Sequence, residues 1–475
     1  SGKTEVYWAL AQRLLAQGRQ VLVLVPEISL TPQLAARFQR RLGLPLLLLH
    51  SRLPAGERLR VWAQCQAGHP GVLLGTRLAV LTPLPNLGLV IVDEEHDAAY
   101  KQEESPRYHA RDVAVLRAQW AKVPVVLGSA TPSLESLANA AQGRYHHLHL
   151  RERAQAAAPP HWIIVDARRQ PLRAGLTPAL LAAIQTNLAA QMQTLLLLNQ
   201  RGYAPVLLCH ACGWQAQCHA CDARLVLHQA IQRLRCHHCG AEQLLPSVCP
   251  ACQSAELLPI GQGTQRLEQT LRQQFPQARL ARLDRDSTQR KGQLEQTLTA
   301  MAAGEVDILL GTQMLAKGHD FPKVTLVGIL DADTGLYSAD LRASERLLQL
   351  LVQVAGRAGR GQWPGQVLLQ THQPSHPLLH RLFNQGYPAA AAQLLAERAD
   401  AGWPPFSALA LLRVEAATLD VAQTYATAVV QLATTTLPED AHVLGPVPAP
   451  MARRQGRYRV QVLLQTSTRR SLQQW

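Results

Sequence analysis

The sequence predicts an α/β chain: two lobes on parallel sheets, a zinc-binding insert within the second, and a small α+β domain at the C-terminal end. Three observations predict it. Short apolar runs with few charges alternate with helical patterns as far as residue 400, as buried parallel strands and their crossover helices do. Eight of the nine cysteines lie between Cys209 and Cys252, in a segment of low apolar content. After Trp403-Pro404-Pro405, which breaks a helix, the pattern changes.

In chain order, Thr4–Gln17 has helical spacing and Gly18 ends it. Val21–Val25, Gly71–Gly75, Leu89–Val92 and Pro124–Leu127 read as the strands of the first lobe, residues 1–150. The Ala/Pro-rich stretch Arg151–Pro160 reads as a linker. Leu195–Leu198, Arg279–Leu283, Asp307–Gly311, Val324–Leu330 and Gly365–Thr371 make the second lobe, residues 151–400, interrupted by the cysteine insert at 205–255. Ala408–Glu415 and Val460–Leu464 are strands around the helix Asp420–Thr434 in the last domain, 401–475.

A chain of 475 residues is too long for one core. Lys+Arg 47 against Asp+Glu 33 gives a net charge of +14. That excess suits a polyanion, nucleic acid first, although a merely soluble basic surface accounts for it equally well. No apolar run reaches the roughly 18 residues of a membrane helix. Cysteine is scarce outside the cluster, which argues against a disulfide framework and for a reducing, cytoplasmic setting. Cys65, alone on a helical pattern, reads as an inert core residue.

The motifs that carry chemistry begin at the first residue. Ser1-Gly2-Lys3-Thr4 is the end of a P-loop opening a helix. There Gly2 and the helix N-terminus cradle phosphates, Lys3 reaches the β/γ-phosphates and Thr4 holds Mg²⁺. The chain opens inside that loop and so reads as a fragment, expected to hydrolyse ATP more slowly than a chain with the upstream segment restored. Val90-Ile91-Val92-Asp93-Glu94-Glu95-His96 is an apolar strand ending in acids. Asp93 suits Mg²⁺ and Glu94 suits the positioning of an attacking water. Gly128-Ser129-Ala130-Thr131-Pro132 follows another strand, with small hydroxyls placed to relay nucleotide state. Further on come Gly311–Asp320, with Lys317, Gly318 and Asp320, and Gln353-Val354-Ala355-Gly356-Arg357-Ala358-Gly359-Arg360. Arg357 and Arg360, three apart, are expected on one helix face, with Gln353 a turn earlier. Across a cleft from a P-loop they would act as arginine fingers.

The order SGKT, DEEH, GSATP, GTQMLAKGHDF, QVAGRAGR resembles a superfamily 2 helicase. With the cysteine cluster, and with Pro26–Thr31, Leu49–Ser51, Gly75–Arg77, Leu198–Tyr203 and Leu444–Pro448, the chain is similar to the bacterial replication-restart helicases of the primosomal protein N′ (PriA) family. The resemblance implies two RecA-like lobes, ATP and Mg²⁺ between them, single-stranded DNA across their tops and 3′→5′ movement. It also implies action at forked DNA, with single-strand-binding protein and primosome loading proteins as partners, in a monomer near the nucleoid. An N-terminal DNA-binding region and the last strand of the C-terminal domain are missing by comparison with the family.

Arg52, Arg77 and Lys317 follow strands or lie in loops where phosphate contacts fit. Tyr100–Asp112 resembles the family's aromatic-rich loop, which couples DNA binding to hydrolysis. Tyr100, Tyr108 and His109 are its candidates for stacking bases. Pro106 stands where that loop would carry a tryptophan.

The cysteines form four CxxC knuckles, enough for two Zn²⁺. Fourteen residues separate Cys221 from Cys236, a comfortable hairpin. That spacing pairs Cys218/Cys221 with Cys236/Cys239 and leaves Cys209/Cys212 to close with Cys249/Cys252. Interleaving of the first knuckle with the third stays open on spacing; the family resemblance implies the nested pairing. His210, His219, His237 and His238 lie beside the ligands and read as supporting or DNA-facing residues. An ATP-driven DNA helicase is the leading reading. A zinc-dependent fork-recognition scaffold with a dispensable ATPase is the alternative, and an RNA-directed motor the third. Glu94 and the two arginines favour the motor, because a scaffold has no need of them.

Overall fold

The computed structural model describes residues 2–26, 46–150, 160–198, 206–219, 225–228, 233–236, 241–260, 264–283, 293–312, 321–336, 338, 340–359, 363–437, 440–454 and 456–474. The chain folds as two compact units, Ser1–Ala156 and Ala157–Trp475.

The first unit is a parallel sheet in the order β2-β3-β1-β4-β5, from β1 (Gln20–Leu24), β2 (Leu46–Leu49), β3 (Gly71–Gly75), β4 (Leu87–Asp93) and β5 (Val125–Gly128). β1 is buried at every position, which is why its run is apolar without alternation. Helix α1 (Lys3–Ala16) lays Tyr7, Trp8, Ala11 and Leu15 on the sheet. Gly18, at a φ of 75°, stops it as the sequence predicts, because only glycine takes that conformation without cost. Helices α2 (Ala55–Gln66), α3 (Ala110–Ala121) and α4 (Leu134–Ala141) complete the unit. Cys65 on α2 is fully buried, and burial pushes its thiol up to about 11, so it stays protonated at neutral pH.

The second unit holds a parallel sheet in the order β13-β14-β7-β15-β16-β6. Its strands are β6 (His161–Asp166), β7 (Gln193–Leu198), β13 (Leu280–Leu283), β14 (Ile308–Gly311), β15 (Val324–Leu330) and β16 (Gln366–Thr371). β6 was not expected; it adds at the edge of the sheet, directly after the segment read as a linker. Residues 151–159 of that segment lie outside the described residues. Helices α5 (Pro178–Ala189), α6 (Thr264–Gln274), α7 (Gln293–Ala303), α8 (Asp333–Leu336), α9 (Ala343–Ala355) and α10 (Pro377–Asp400) accompany this sheet.

Between β7 and β13 the insert forms its own antiparallel sheet, β11-β10-β9-β8-β12. Its strands are β8 (Val206–Cys209), β9 (Leu225–His228), β10 (Arg233–Cys236), β11 (Glu242–Leu244) and β12 (Leu257–Ile260). β8 pairs with β12, so the insert leaves the lobe and returns to it on adjacent strands. The insert has a small core, with Leu207, Leu225, Leu227 and Leu234 packed around Cys218 and Cys236.

The C-terminal part is a three-stranded antiparallel sheet, β17-β19-β18, covered by α11 (Leu419–Thr436) and followed by α12 (Arg469–Gln474). β17 (Ala408–Ala416) and β19 (Arg457–Thr466) lengthen the two expected strands. β18 (His442–Arg454) was not expected, because Pro446, Pro448 and Pro450 lie within it. It is an edge strand, where missing N–H donors can face away from the ladder. Among the described residues no helix is long and apolar enough to cross a membrane.

Candidate functional site

The apolar run of β4 ends by delivering Asp93 and Glu94 beside the start of α1. Lys3 Nζ donates to Glu94 Oε1 at 2.6 Å and stands 3.7 Å from Asp93 Oδ1. Burial works against the Lys3 charge, but Glu94 and then Asp93 outweigh it, and its pKa rises. Asp93 also moves up, chiefly through burial, with Lys3 pulling the other way. For a simple ion pair those directions conflict. The distances resolve the conflict: the close partner of Lys3 is Glu94, and half-buried Asp93 shares the Lys3 charge at longer range. The N-cap Gly2 gives α1 no side-chain cap, so its first N–H groups are available to an anion. This donor set fits a magnesium nucleotide.

Glu94 has a φ of 47°, a region that residues with a Cβ seldom enter. The turn is held by three hydrogen bonds. The Asp97 amide donates to Glu94 O at 2.8 Å, the Glu95 amide to Gly128 O at 3.1 Å, and Tyr100 Oη to Asp93 O at 2.6 Å. Strain maintained in this way at a strand end is a mark of function. Tyr7 Oη donates to Asp93 Oδ1 at 2.9 Å, and a Cβ on Gly128 would collide with that hydroxyl. The glycine of Gly128–Pro132 therefore makes room for Tyr7.

His96 connects the acidic turn to the next motif. Its Nδ1 meets Ser129 Oγ at 2.7 Å and its Nε2 faces Thr131 Oγ1 at 3.5 Å. Glu95 is 1% exposed. It accepts from Ser133 N at 2.7 Å and from Ser133 Oγ, Ser136 Oγ and Arg111 Nη1, each at 3.0 Å. Glu95→Ala takes from the largely buried Arg111 guanidinium one of the carboxylates, with Asp112 and Glu135, that hold its charge. We expect a loss of about 3 kcal/mol in urea unfolding of the chain. A loss below about 1 kcal/mol would show that Arg111 finds water instead.

One DNA-facing expectation is corrected. Tyr100 is fully buried and its hydroxyl braces Asp93, so its ring cannot stack on a base. Arg77 directs Nη1 into the protein, to Ala99 O at 3.2 Å and Lys101 O at 2.8 Å, where it fastens the start of the aromatic loop. That loop is pinched by a bridge between Lys101 and His109 and by the Gln102 amide donating to Tyr108 O at 2.8 Å. Tyr108 is half-buried against the apolar cluster of Val90 and Ala114, and His109 stands at the N-cap of α3. Arg52 is exposed.

In the second unit, Arg357 departs from the expected helix face. α9 ends at Ala355, with Gly356 as its C-cap, and Arg357 lies on the following turn, 8% exposed. Gly359, at a φ of 68°, forces that turn: its amide donates to Val324 O at 3.0 Å, and a Cβ there would press on the backbone of Gly365. Gln353 is half-buried on α9. Lys317, Gly318, Asp320, Arg360, Cys221 and Cys239 lie outside the described residues.

The first and fourth knuckles close on one another, as in the nested pairing. The sulfurs of Cys209, Cys212, Cys249 and Cys252 all lie within 4.8 Å of one another. Cys209 and Cys252 are 3.6 Å apart, and Cys212 and Cys249 are 3.7 Å apart. A tetrahedral zinc with Zn–S near 2.3 Å sets its ligand sulfurs about 3.8 Å apart, so the residues fit the metal. The Trp214 amide donates to Cys212 Sγ at 3.4 Å, a contact that favours the thiolate. Cys218 and Cys236, from the inner knuckles, share the core of the insert.

The sequence placed Glu95 and His96 in the acidic motif without a role for either, and it did not signal Tyr7 or Arg111 as parts of that site. Neither did it signal Asp331 at the end of β15, whose carboxyl burial pushes up to about 7 while the Thr334 hydroxyl pulls it down. Tyr7, Glu95, Arg111 and His96 act through partners distant in sequence, and Asp331 through burial and its near neighbour Thr334.

Residues 1–140 match the DEAD/DEAH box helicase family and residues 252–362 the helicase conserved C-terminal domain. Residues 218–243 match the PriA DNA helicase Cys-rich region domain, and residues 399–475 the primosomal protein N C-terminal domain. The replication restart protein PriA of Haemophilus influenzae is 47% identical over 473 residues, covering 100% of this chain and 65% of that protein. That of Bacillus subtilis is 43% identical over 468 residues, covering 98% and 58%. That of Treponema pallidum is 41% identical over 464 residues, covering 98% and 70%. The chain thus spans between 58% and 70% of the length of these three relatives. Helicase domains at both ends of a zinc ribbon, a primosomal C-terminal domain and identity sustained along the whole chain lead to one assignment: the chain belongs to the replication restart protein PriA family.

Proposed function

We propose that the chain is the motor portion of an ATP-dependent 3′→5′ DNA helicase that binds and remodels forked DNA at stalled replication forks and initiates primosome assembly. The observation that carries this reading is the Lys3–Glu94 ion pair beside half-buried Asp93, with His96 joining that turn to Ser129. When bound, Mg-ATP supplies the transferable phosphoryl group, and zinc supplies folding energy to the insert. Lys3 exchanges Glu94 for the β/γ-phosphates, which releases Glu94 to orient the attacking water. Asp93 and Thr4 would hold the magnesium, with Gly2 at the phosphates. A change at Glu94 reaches Ser129 and Thr131 through His96.

In the same reading Gln353, Arg357 and Arg360 answer the charge on the phosphoryl group, and Gly318 and Asp320 border the nucleotide. Arg52, Arg77, Tyr108, His109 and Lys317 are the DNA-contacting residues. Two zincs sit in the nested cysteine sets. The domains are residues 1–150, 151–400 with the insert 205–255, and 401–475. Partners are forked and single-stranded DNA, single-strand-binding protein and primosome loading proteins, and the setting is a monomer in the cytoplasm near the nucleoid.

The test is steady-state ATPase and strand separation with forked DNA, single-stranded DNA, RNA or no nucleic acid. Forked DNA is expected to stimulate hydrolysis most and to be unwound. Fork binding with normal affinity but no ATP-dependent strand separation would favour a fork-recognition scaffold. Equal stimulation by RNA would redirect the reading to an RNA motor.

A further inference from the structure

The first zinc knuckle is fastened to the second lobe by a relay of side chains from three separate segments. Asp333, 3% exposed, lies just past β15. Its carboxylate accepts from the Thr371 hydroxyl, from the His372 amide at 2.9 Å and from His372 Nδ1 at 3.0 Å. His372 Nε2 meets His210 Nδ1 at 3.1 Å, and the two rings pack edge to face with centroids 5.3 Å apart. His210 Nε2 donates to Gln170 O at 2.8 Å. His210 stands between the ligands Cys209 and Cys212.

The knuckle backbone is held from the same side. The Arg169 amide donates to His210 O at 3.1 Å, Arg169 Nε to Ala211 O at 3.0 Å, and Gln373 Nε2 to Gly213 O. Gly213 has a φ of 79°, and a Cβ on it would collide with His372 O. The loops that follow β6 and β16 therefore cover the back of the knuckle. A Cys₄ zinc site needs four sulfurs and a few N–H···S contacts. It does not need a histidine pair anchored on the carboxylate after β15. That end of a parallel sheet is where α/β motors place ligand-responsive residues.

We propose that the Asp333–His372–His210 relay keys the first zinc site to the C-terminal edge of the lobe-2 sheet, so that knuckle and lobe move as one body. Asp333 and His372 are positioning residues, acting on Cys209 and Cys212 through His210. The inference rests on the motor reading only for its unwinding readout. His210, read from the sequence as a supporting or DNA-facing residue, here faces the lobe.

The test is a mutant cycle on the 475-residue chain: His210→Ala, His372→Ala and the double variant. Zinc release to the chelator 4-(2-pyridylazo)resorcinol is the readout. Each single variant should speed release of one zinc about tenfold, as loss of a ligand-orienting contact does. The double variant should release it at about the single-variant rate, because members of one network do not add. Multiplying effects, or unchanged release in both singles, would overturn the relay. If His372→Ala does not fold, Asp333→Asn, which keeps the side-chain volume, must show the same faster release. On forked DNA, His372→Ala should lose about tenfold in unwinding while DNA-stimulated ATPase stays within about twofold. Should the unsubstituted chain fail to unwind, the motor reading fails and the zinc-release result still decides the relay.

Discussion

Glu94→Gln is expected to slow ATP hydrolysis and unwinding by about 10²- to 10⁴-fold while ATP and DNA binding stay near those of the unsubstituted chain. The substitution keeps length and shape, so the strained turn at a φ of 47°, braced by Tyr100 and Asp97, has no cause to rearrange. What it removes is the charge that pairs with Lys3 at 2.6 Å and, by our reading, the carboxylate that orients the attacking water. Lys3 then has Asp93 at 3.7 Å as its nearest anion and is less restrained from phosphate, so nucleotide affinity should hold or rise. Single-turnover hydrolysis and nucleotide titration on the same preparation separate the two quantities. A rate above about a tenth of normal would assign the water-positioning role elsewhere; a matching loss of nucleotide affinity would make Glu94 structural.

Metal removal is expected to have the second large effect. Elemental analysis should give two zincs per chain, and Cys249→Ser should lower that to one. Structural zinc contributes about 10–16 kcal/mol of apparent binding free energy to a small domain. Among the described residues, the buried core of the insert is four leucines and Ala216 around two cysteines that are themselves candidate ligands, with Trp214, Ala241, Leu245 and Leu257 partly buried against it, too small a cluster to replace that energy. Chelation should therefore raise amide exchange throughout β8–β12 and leave β1–β5 protected. Unwinding should fail first, with part of the DNA-stimulated ATPase persisting. Protection of the insert after complete chelation would show that its apolar cluster suffices.

Much of the fold was legible, and the reason is local. β1, β4, β7 and β15 are buried on both faces, so each reads as an unbroken apolar run whatever its neighbours. β6 and β18 were not legible. Edge strands are half-buried, and the prolines of β18 spoke against a strand until the sheet showed which side lacks a partner. The helix expected to carry Arg357 was misread for a related reason: helical spacing continues past Ala355, and what ends the helix is the close approach of Gly359 to Gly365.

By itself the sequence determined the chemistry that is written in short spacings: Lys3 at a helix start, the acids after an apolar strand, and four CxxC knuckles. Those patterns are local because a phosphate cradle, a strand-end carboxylate and a zinc knuckle each need residues only a few positions apart. Only the tertiary structure decided the partners. Spacing left two pairings of the knuckles open, and the sulfurs of the first and fourth settled on one another. Tyr100 offers an aromatic ring in the sequence but is buried against Asp93 in the fold. Lys3 meets Glu94 across 91 positions, and His210 meets His372 across 162. Hydrogen bonds and burial depend on distance in space, and a single chain read along its length carries no measure of that distance.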